Sequence, residues 1–136
     1  MKKKIGNVCI IDDDIIYQFL AKEEIEYTNM VERIMFFNNG DKAIQFLSTT
    51  LNNNDTAALP DFIFLDLNMP VMDGWEFLAA YAILKPRLLK NISVYVVSSS
   101  TDTRDLERAK AIIEVSDYII KPVSGNQFQE IFSNVV

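Results

Sequence analysis

Short, almost unbroken apolar runs alternate with stretches of helical spacing from one end of the chain to the other, and this alternation narrows the fold more than any other feature. The runs are Val8–Ile11, Ile34–Phe37, Phe62–Leu65, Val94–Val97 and Tyr118–Ile120. A run that is apolar at successive positions, not at every second one, suits a strand covered on both faces, as in a parallel sheet. Between and after them, apolar residues recur three and four apart, as one face of a helix requires. The stripes are Tyr17, Leu20, Ala21, Ile25 and Thr28; Ala43, Ile44, Leu47 and Leu51; Trp75, Leu78, Ala79 and Ala82; Leu106, Ala109 and Ile113; and Phe128, Ile131, Phe132 and Val135. Met69-Pro70 and Asp73-Gly74 are turn signals, Asn52 to Asp55 reads as a loop closed by Pro60, and Ser124 with Gln127 predicts a capping box. About five βα units without hairpin signals predict an α/β fold with helices on both faces of a parallel sheet. The 136 residues suit one domain, positions 1–136.

Charge and residue usage exclude several function classes. Thirteen Lys and Arg against nineteen Asp and Glu leave a net charge of −6, which argues against direct nucleic-acid binding. The chain has no histidine. That removes histidine-based zinc sites, Ser-His-Asp triads and histidine general bases, and means that any phosphohistidine donor must be another protein. A single cysteine, Cys9, cannot form an internal disulfide. The basic Met1 to Lys4 start is followed by no signal-peptide core, and no stretch approaches the ~20 apolar residues of a membrane helix. A soluble cytoplasmic protein is expected.

In a doubly wound fold the strand ends share one edge of the sheet, and sites form there. The first predicted strand ends in Asp12-Asp13-Asp14, the third in Asp66, the fourth in Ser98-Ser99-Ser100 and the fifth in Lys121. Each alone has an ordinary explanation: helix caps, a turn residue, a loop, a surface turn. Together they place carboxylates, a hydroxyl and an amine on one edge. Converging carboxylates repel unless a cation or proton intervenes, and an all-oxygen set suits Mg²⁺. An aspartate beside such an ion can attack phosphorus, while the ion and a lysine neutralise the phosphoryl oxygens.

At Val8-Cys9-Ile10-Ile11-Asp12-Asp13-Asp14, Phe62 to Pro70, Met72-Asp73-Gly74, Val96 to Ser99 and Asp117 to Pro122, the sequence resembles the receiver domain of two-component response regulators. The likeness runs from Val8 to about Phe132. It implies a flavodoxin-like (βα)5 sandwich with strand order 2-1-3-4-5. It further implies that Asp13 binds Mg²⁺ directly and Asp12 mostly through water, that Asp66 is the phosphoacceptor, and that the Asn68 backbone carbonyl is another metal ligand. Ser98 would be the switch hydroxyl, in place of the commoner threonine, Lys121 the phosphate-binding cation, and Tyr118 the aromatic that turns inward on activation. The Lys121-Pro122 peptide would be cis. Asp14 fits no metal position and reads as a helix N-terminal residue, and Trp75 as core packing. The implied partners are a histidine kinase or histidine phosphotransfer protein as donor and a downstream protein as target, with no attached output domain. The surface of the fourth helix, fifth strand and fifth helix would change on phosphorylation. Two other readings compete: a Mg²⁺-dependent aspartyl phosphatase, which lacks its usual second carboxylate because Asn68 stands there, and a phosphorylation-independent pseudo-receiver scaffold.

Overall fold

Five strands and five helices alternate in the computed structural model, which describes residues 5–134. They are β1 (Ile5–Ile11), α1 (Ile15–Tyr27), β2 (Val31–Phe37), α2 (Gly40–Asn52), β3 (Phe62–Leu65), α3 (Gly74–Leu84), β4 (Ser93–Ser98), α4 (Thr103–Lys110), β5 (Val115–Ile120) and α5 (Gly125–Ser133). Every neighbouring strand pair is parallel. The order β2-β1-β3-β4-β5 is that of the flavodoxin-like sandwich.

Strand alternation divides the core in two. In β1, Cys9 and Ile11 face one side and Val8 and Ile10 the other; in β3, Ile63 and Leu65 oppose Phe62 and Phe64. The first side packs on Ala43 and Leu47 of α2, Phe77, Leu78 and Tyr81 of α3, and Ala109 of α4. The second packs on Ile25 of α1 and on Phe128 and Phe132 of α5. Phe64 meets Phe128 edge-on, with ring centroids 5.1 Å apart and planes at 89°. Each fully buried side chain of this size contributes about 1.5–3 kcal/mol.

Helix starts are well satisfied. Asp14, Asn39, Asp73, Asp102 and Ser124 each cap a helix through a side-chain oxygen, and α3 and α5 carry full capping boxes. The Ser124–Gln127 box is the one expected. At the opposite edge of the sheet, Asp61 accepts from the backbone N–H groups of Gly6 and Asn7 and pairs with Lys90 at 3.0 Å.

Several expectations are corrected. The strands β1, β2 and β5 start earlier than the apolar runs. Gly6, Asn7, Glu32, Arg33, Ser116 and Asp117 interrupt hydrophobicity, whereas backbone pairing such as Asn7 with Arg33 continues through them. Leu20 is 52% exposed, and the covered face of α1 centres on Ala21 and Ile25. Ala79 is exposed as well, α3 burying Phe77, Leu78 and Tyr81 instead. Ile113 lies beyond the end of α4 and is 87% exposed. Trp75 does pack on the core as expected, half-buried on the α2–α3–α4 side, and it carries the Arg108 guanidinium 4.1 Å above its ring. Val135, assigned to the last stripe, and the basic start lie outside the described residues.

Gly74 lets α3 start directly under the end of β3. A Cβ there would sit 2.4 Å from the Asp66 carbonyl oxygen and 2.8 Å from the Leu67 Cα, both backbone atoms that cannot swing away. Gly74→Ala is therefore expected to destabilise the protein by about 2–3 kcal/mol, the upper range for overpacking. Urea unfolding reads this directly, and an unchanged midpoint would refute the tight approach.

Candidate functional site

The strand order reverses between β1 and β3, and both of these strands end in aspartate. Ile11 is in register with Leu65, so Asp12 and Asp66 emerge side by side. The Asp66 N–H donates to the Ile11 carbonyl at 2.9 Å, and the Asp12 N–H to the Phe37 carbonyl at 3.0 Å. Their side chains are thus set by the ladder. Carboxylate oxygens of Asp12, Asp13 and Asp66 lie within 4.8 Å of one another, Asp12 and Asp66 buried and Asp13 exposed. One ligand atom from each can face a common cation, and the donors are all oxygen, which fits a hard divalent ion. Asn68 is exposed on the loop after β3, two residues beyond Asp66. Asp14 stays out of the cluster and caps α1, accepting from the backbone of Ile16 and Tyr17.

Lys121 enters from the end of β5. Its Nζ lies 2.6 Å from Asp12 Oδ2 and 3.5 Å from Asp66 Oδ1. The backbone N–H of Lys121 donates to the Ser98 carbonyl, and the Lys121-Pro122 peptide is cis. Burial, and then the neighbouring Asp12 carboxylate, push the Asp66 carboxyl up to about 6, against the pull of the Lys121 ammonium and the Leu67 N–H. Nearby negative charge and desolvation both favour the protonated acid, so the site stores unfavourable charge that a cation would relieve.

Ser98 ends β4, fully buried, and its Oγ accepts from the Ser100 N–H at 3.1 Å. The next loop is held by Ser100 as well: its Oγ donates to Asp105 and its carbonyl accepts from the Tyr118 hydroxyl at 2.9 Å. Tyr118 is only 8% exposed. Its ring lies inward, with the hydroxyl on an acceptor in the β4–α4 loop.

Two contacts escape the sequence reading. The Tyr17 ring lies under the Lys121 ammonium, 4.2 Å from Nζ to ring centroid. Gln18 donates through Nε2 to the Asp12 carbonyl at 2.6 Å and to Asn38 Oδ1 at 3.0 Å. Both residues lie in the first turn of α1, where only the direct continuation from the acidic run hinted at proximity.

With this geometry, residues 8–133 match the family described as the response regulator receiver domain. The chain belongs to that family. Among curated relatives, the receiver is 31% identical over 117 residues to the probable methanogenesis regulatory protein FilR2 of Methanothrix harundinacea, covering 86% of this chain and 72% of that protein. It spans only 29% of a second relative, a protein-glutamate methylesterase/protein-glutamine glutaminase of Pseudoalteromonas atlantica that is 28% identical and matches 93% of this chain. A two-component response regulator from Cytophaga hutchinsonii superposes with a TM-score of 0.81 at 32% identity, over 97% of this chain and 96% of that one. The phosphorylated cyanobacterial phytochrome response regulator RcpA (TM-score 0.72, 28% identity, 93% and 87% covered) is also similar. So is the Mn²⁺-bound response regulator Rcp1 (TM-score 0.72, 26% identity, 94% and 92% covered). No helix among the described residues is long and apolar enough to cross a membrane.

The raised Asp66 carboxyl makes the receiver's stability depend on pH. An unfolded aspartate titrates near 4 and the folded one near 6, so the folded state binds the proton more tightly. Stability contributed by the neutral acid is complete below pH ~4 and is lost as pH rises through about 6, by on the order of 1–3 kcal/mol. Without divalent cations, Asp66→Asn should thus be more stable than wild type at pH 7.5, with the gap closing at pH 4. Thermal unfolding with chelator present measures it; a gap independent of pH would contradict the assignment.

Proposed function

We propose that this receiver accepts a phosphoryl group on Asp66, with Mg²⁺ bound beside it, from a histidine kinase or histidine phosphotransfer protein. The single observation that carries the reading is the convergence of Asp12, Asp13 and Asp66 around the reach of one ammonium, Lys121, with a buried hydroxyl, Ser98, on the neighbouring strand. Asp12, Asp13, Asp66 and the Asn68 carbonyl would hold the ion. When bound, it would offset the negative charge of the carboxylates and of the phosphoryl oxygens.

The chain's own residues account for the rest. Asp66 is ionised at neutral pH, and its Oδ forms the new bond to phosphorus while the bond from phosphorus to the donor nitrogen breaks. The leaving imidazole retains that electron pair. Lys121, now paired with Asp12, can swing its ammonium to the phosphoryl oxygens over a short distance. Ser98 Oγ accepts from Ser100, so its own hydrogen can be donated to the phosphoryl group. Pulling Ser98 toward Asp66 would strain the Ser100 contact, and through the Ser100 carbonyl it would act on Tyr118 and the α4 side of the sheet. A charge-assisted hydrogen bond of roughly 1.5–3 kcal/mol shifts a two-state element about tenfold to a hundredfold.

A protein donor fits the surroundings. Ile15, Ile16, Phe19 and Leu20 form an exposed apolar face at the start of α1, directly after the acidic run, each more than half exposed. A domain bringing a phosphohistidine to Asp66 from this side would cover that face, and burial of such residues is what drives association. The readout surface would be α4, β5 and α5, and the target a downstream protein.

Incubation with acetyl phosphate and Mg²⁺ is expected to add one base-labile phosphoryl group, found on Asp66 by peptide mass spectrometry and absent from that site in Asp66→Asn. Asp13→Ala should weaken Mg²⁺ binding at least about tenfold by calorimetry, since it removes one of few charged ligands. Equal labelling of wild type and Asp66→Asn would move the acceptor elsewhere.

The hydroxyl relay has its own test. Ser98→Ala should still take up phosphate but lose most of the beryllofluoride-induced NMR shifts in β5 and α4. A full response in that variant would disprove the link through Ser98.

A further inference from the structure

Tyr17 occupies a place in the site that the acidic residues and the lysine do not explain. Its backbone N–H is fixed by the Asp14 cap at 3.2 Å, which sets the base of the side chain. One part of the half-buried ring packs on the apolar cluster shared by the sheet, α1 and α5. The ring centroid lies 4.2 Å from Lys121 Nζ, within cation–π range. The ammonium therefore has three partners: Asp12 at 2.6 Å, Asp66 at 3.5 Å and the aromatic face. Burial, then the Asp12 and Asp66 carboxylates, push the Tyr17 hydroxyl well above the usual phenol range, so the ring stays neutral beside them.

These partners differ in what happens to them when a cation enters. Asp12 and Asp66 belong to the carboxylate cluster, so a divalent ion competes with Lys121 for both. Lysine is a flexible four-carbon chain with a strongly hydrated head, and loosening its one short ion pair would release it to solvent. The uncharged ring is the contact for which the carboxylate-bound ion does not compete. We infer that Tyr17 is a positioning residue for phosphoryl transfer, holding the Lys121 ammonium within reach of the Asp66 phosphoryl group after Asp12 turns to the cation. This rests on the phosphoacceptor function proposed above.

Substitutions separate the ring face from simple bulk. Tyr17→Phe keeps the π face and drops the hydroxyl; Tyr17→Leu keeps apolar bulk and drops the face. In metal-free protein, the Lys121 Hε resonances should be shifted upfield by the ring in wild type and Tyr17→Phe, and return to ordinary lysine values in Tyr17→Leu. With acetyl phosphate and Mg²⁺, the initial rate of Asp66 phosphorylation should fall about tenfold in Tyr17→Leu, the size a partly desolvated cation–π contact can supply, and stay within about twofold of wild type in Tyr17→Phe. In a Lys121→Ala background, Tyr17→Leu should change the rate less than about twofold, because nothing remains to be positioned. Backbone amide spectra check that each variant is folded, and Tyr17→Met replaces the leucine variant if it is not.

A Tyr17→Leu rate equal to wild type overturns the inference, as does an equal fall with and without Lys121, or a Tyr17→Phe loss as large as that of leucine. A wild type that takes up no phosphoryl group overturns the function proposed above and this inference with it, so the two failures are distinguishable.

Discussion

The pairing of Lys121 with Asp12 is the contact on which the rest of the site depends. It spans 109 positions of sequence and joins the end of the edge strand β5 to the end of β1 near the sheet's centre. Asp12 is 2% and Lys121 17% exposed in their side chains, so neither charge is well hydrated. Removing one member of such a pair strands the other and typically costs about 3–5 kcal/mol. Burial, and after it the Asp12 carboxylate, still push the Asp66 carboxyl up to about 6 against the pull of Lys121. The fold tolerates this cost at one edge because the two apolar layers beneath it are dense and continuous.

Those layers also explain why the site is rigid where it needs to be and adjustable elsewhere. The β1 and β3 ends are fixed by central-strand pairing and by the close approach of Gly74 to the Asp66 backbone. The loop after β4, beyond the ladder that pairs Ser98 with β5, is held by smaller, replaceable contacts: a serine hydroxyl on one amide, a tyrosine hydroxyl on one carbonyl. Each is worth only about 0.5–1.5 kcal/mol net. A new charge at Asp66 can compete with contacts of that size, but not with the strand ladder. The inward Tyr118 fits this picture: its ring packs in the α2–α3–α4 side of the core, and its hydroxyl is held by one carbonyl of the β4–α4 loop.

The apolar residues of α1 serve two environments. Ala21 and Ile25 are buried, while Ile15, Ile16, Phe19 and Leu20 face outward. From Ile15 to Ala21 the helix is apolar at every position but Gln18, so no single stripe stands out there and spacing alone does not tell the outward Leu20 from the buried Ala21. Ile113 failed for another reason. It continues the period of α4, but the helix has already ended at Lys110, and nothing in periodicity marks a stop that lacks Gly or Pro.

Element order, the parallel sheet and the acidic, hydroxyl and amine strand ends were legible in the sequence, because uninterrupted apolar runs and helical spacing are local properties. Strand order 2-1-3-4-5 came from family resemblance, and the observed pairing agrees. Strand starts such as Ile5 and Val31 were not legible, since their polar positions are held by backbone pairing with a distant segment. The same holds for Tyr17 and Gln18: by sequence they are helix residues, and only the packing of α1 against β2 and α5 sets one ring under Lys121 and one amide on the Asp12 carbonyl. The sequence by itself determined which chemical groups meet at the sheet edge, because a strand end is a position along the chain. The tertiary structure alone decided their distances, their charge balance and their neighbours, because these depend on which strands and helices lie side by side.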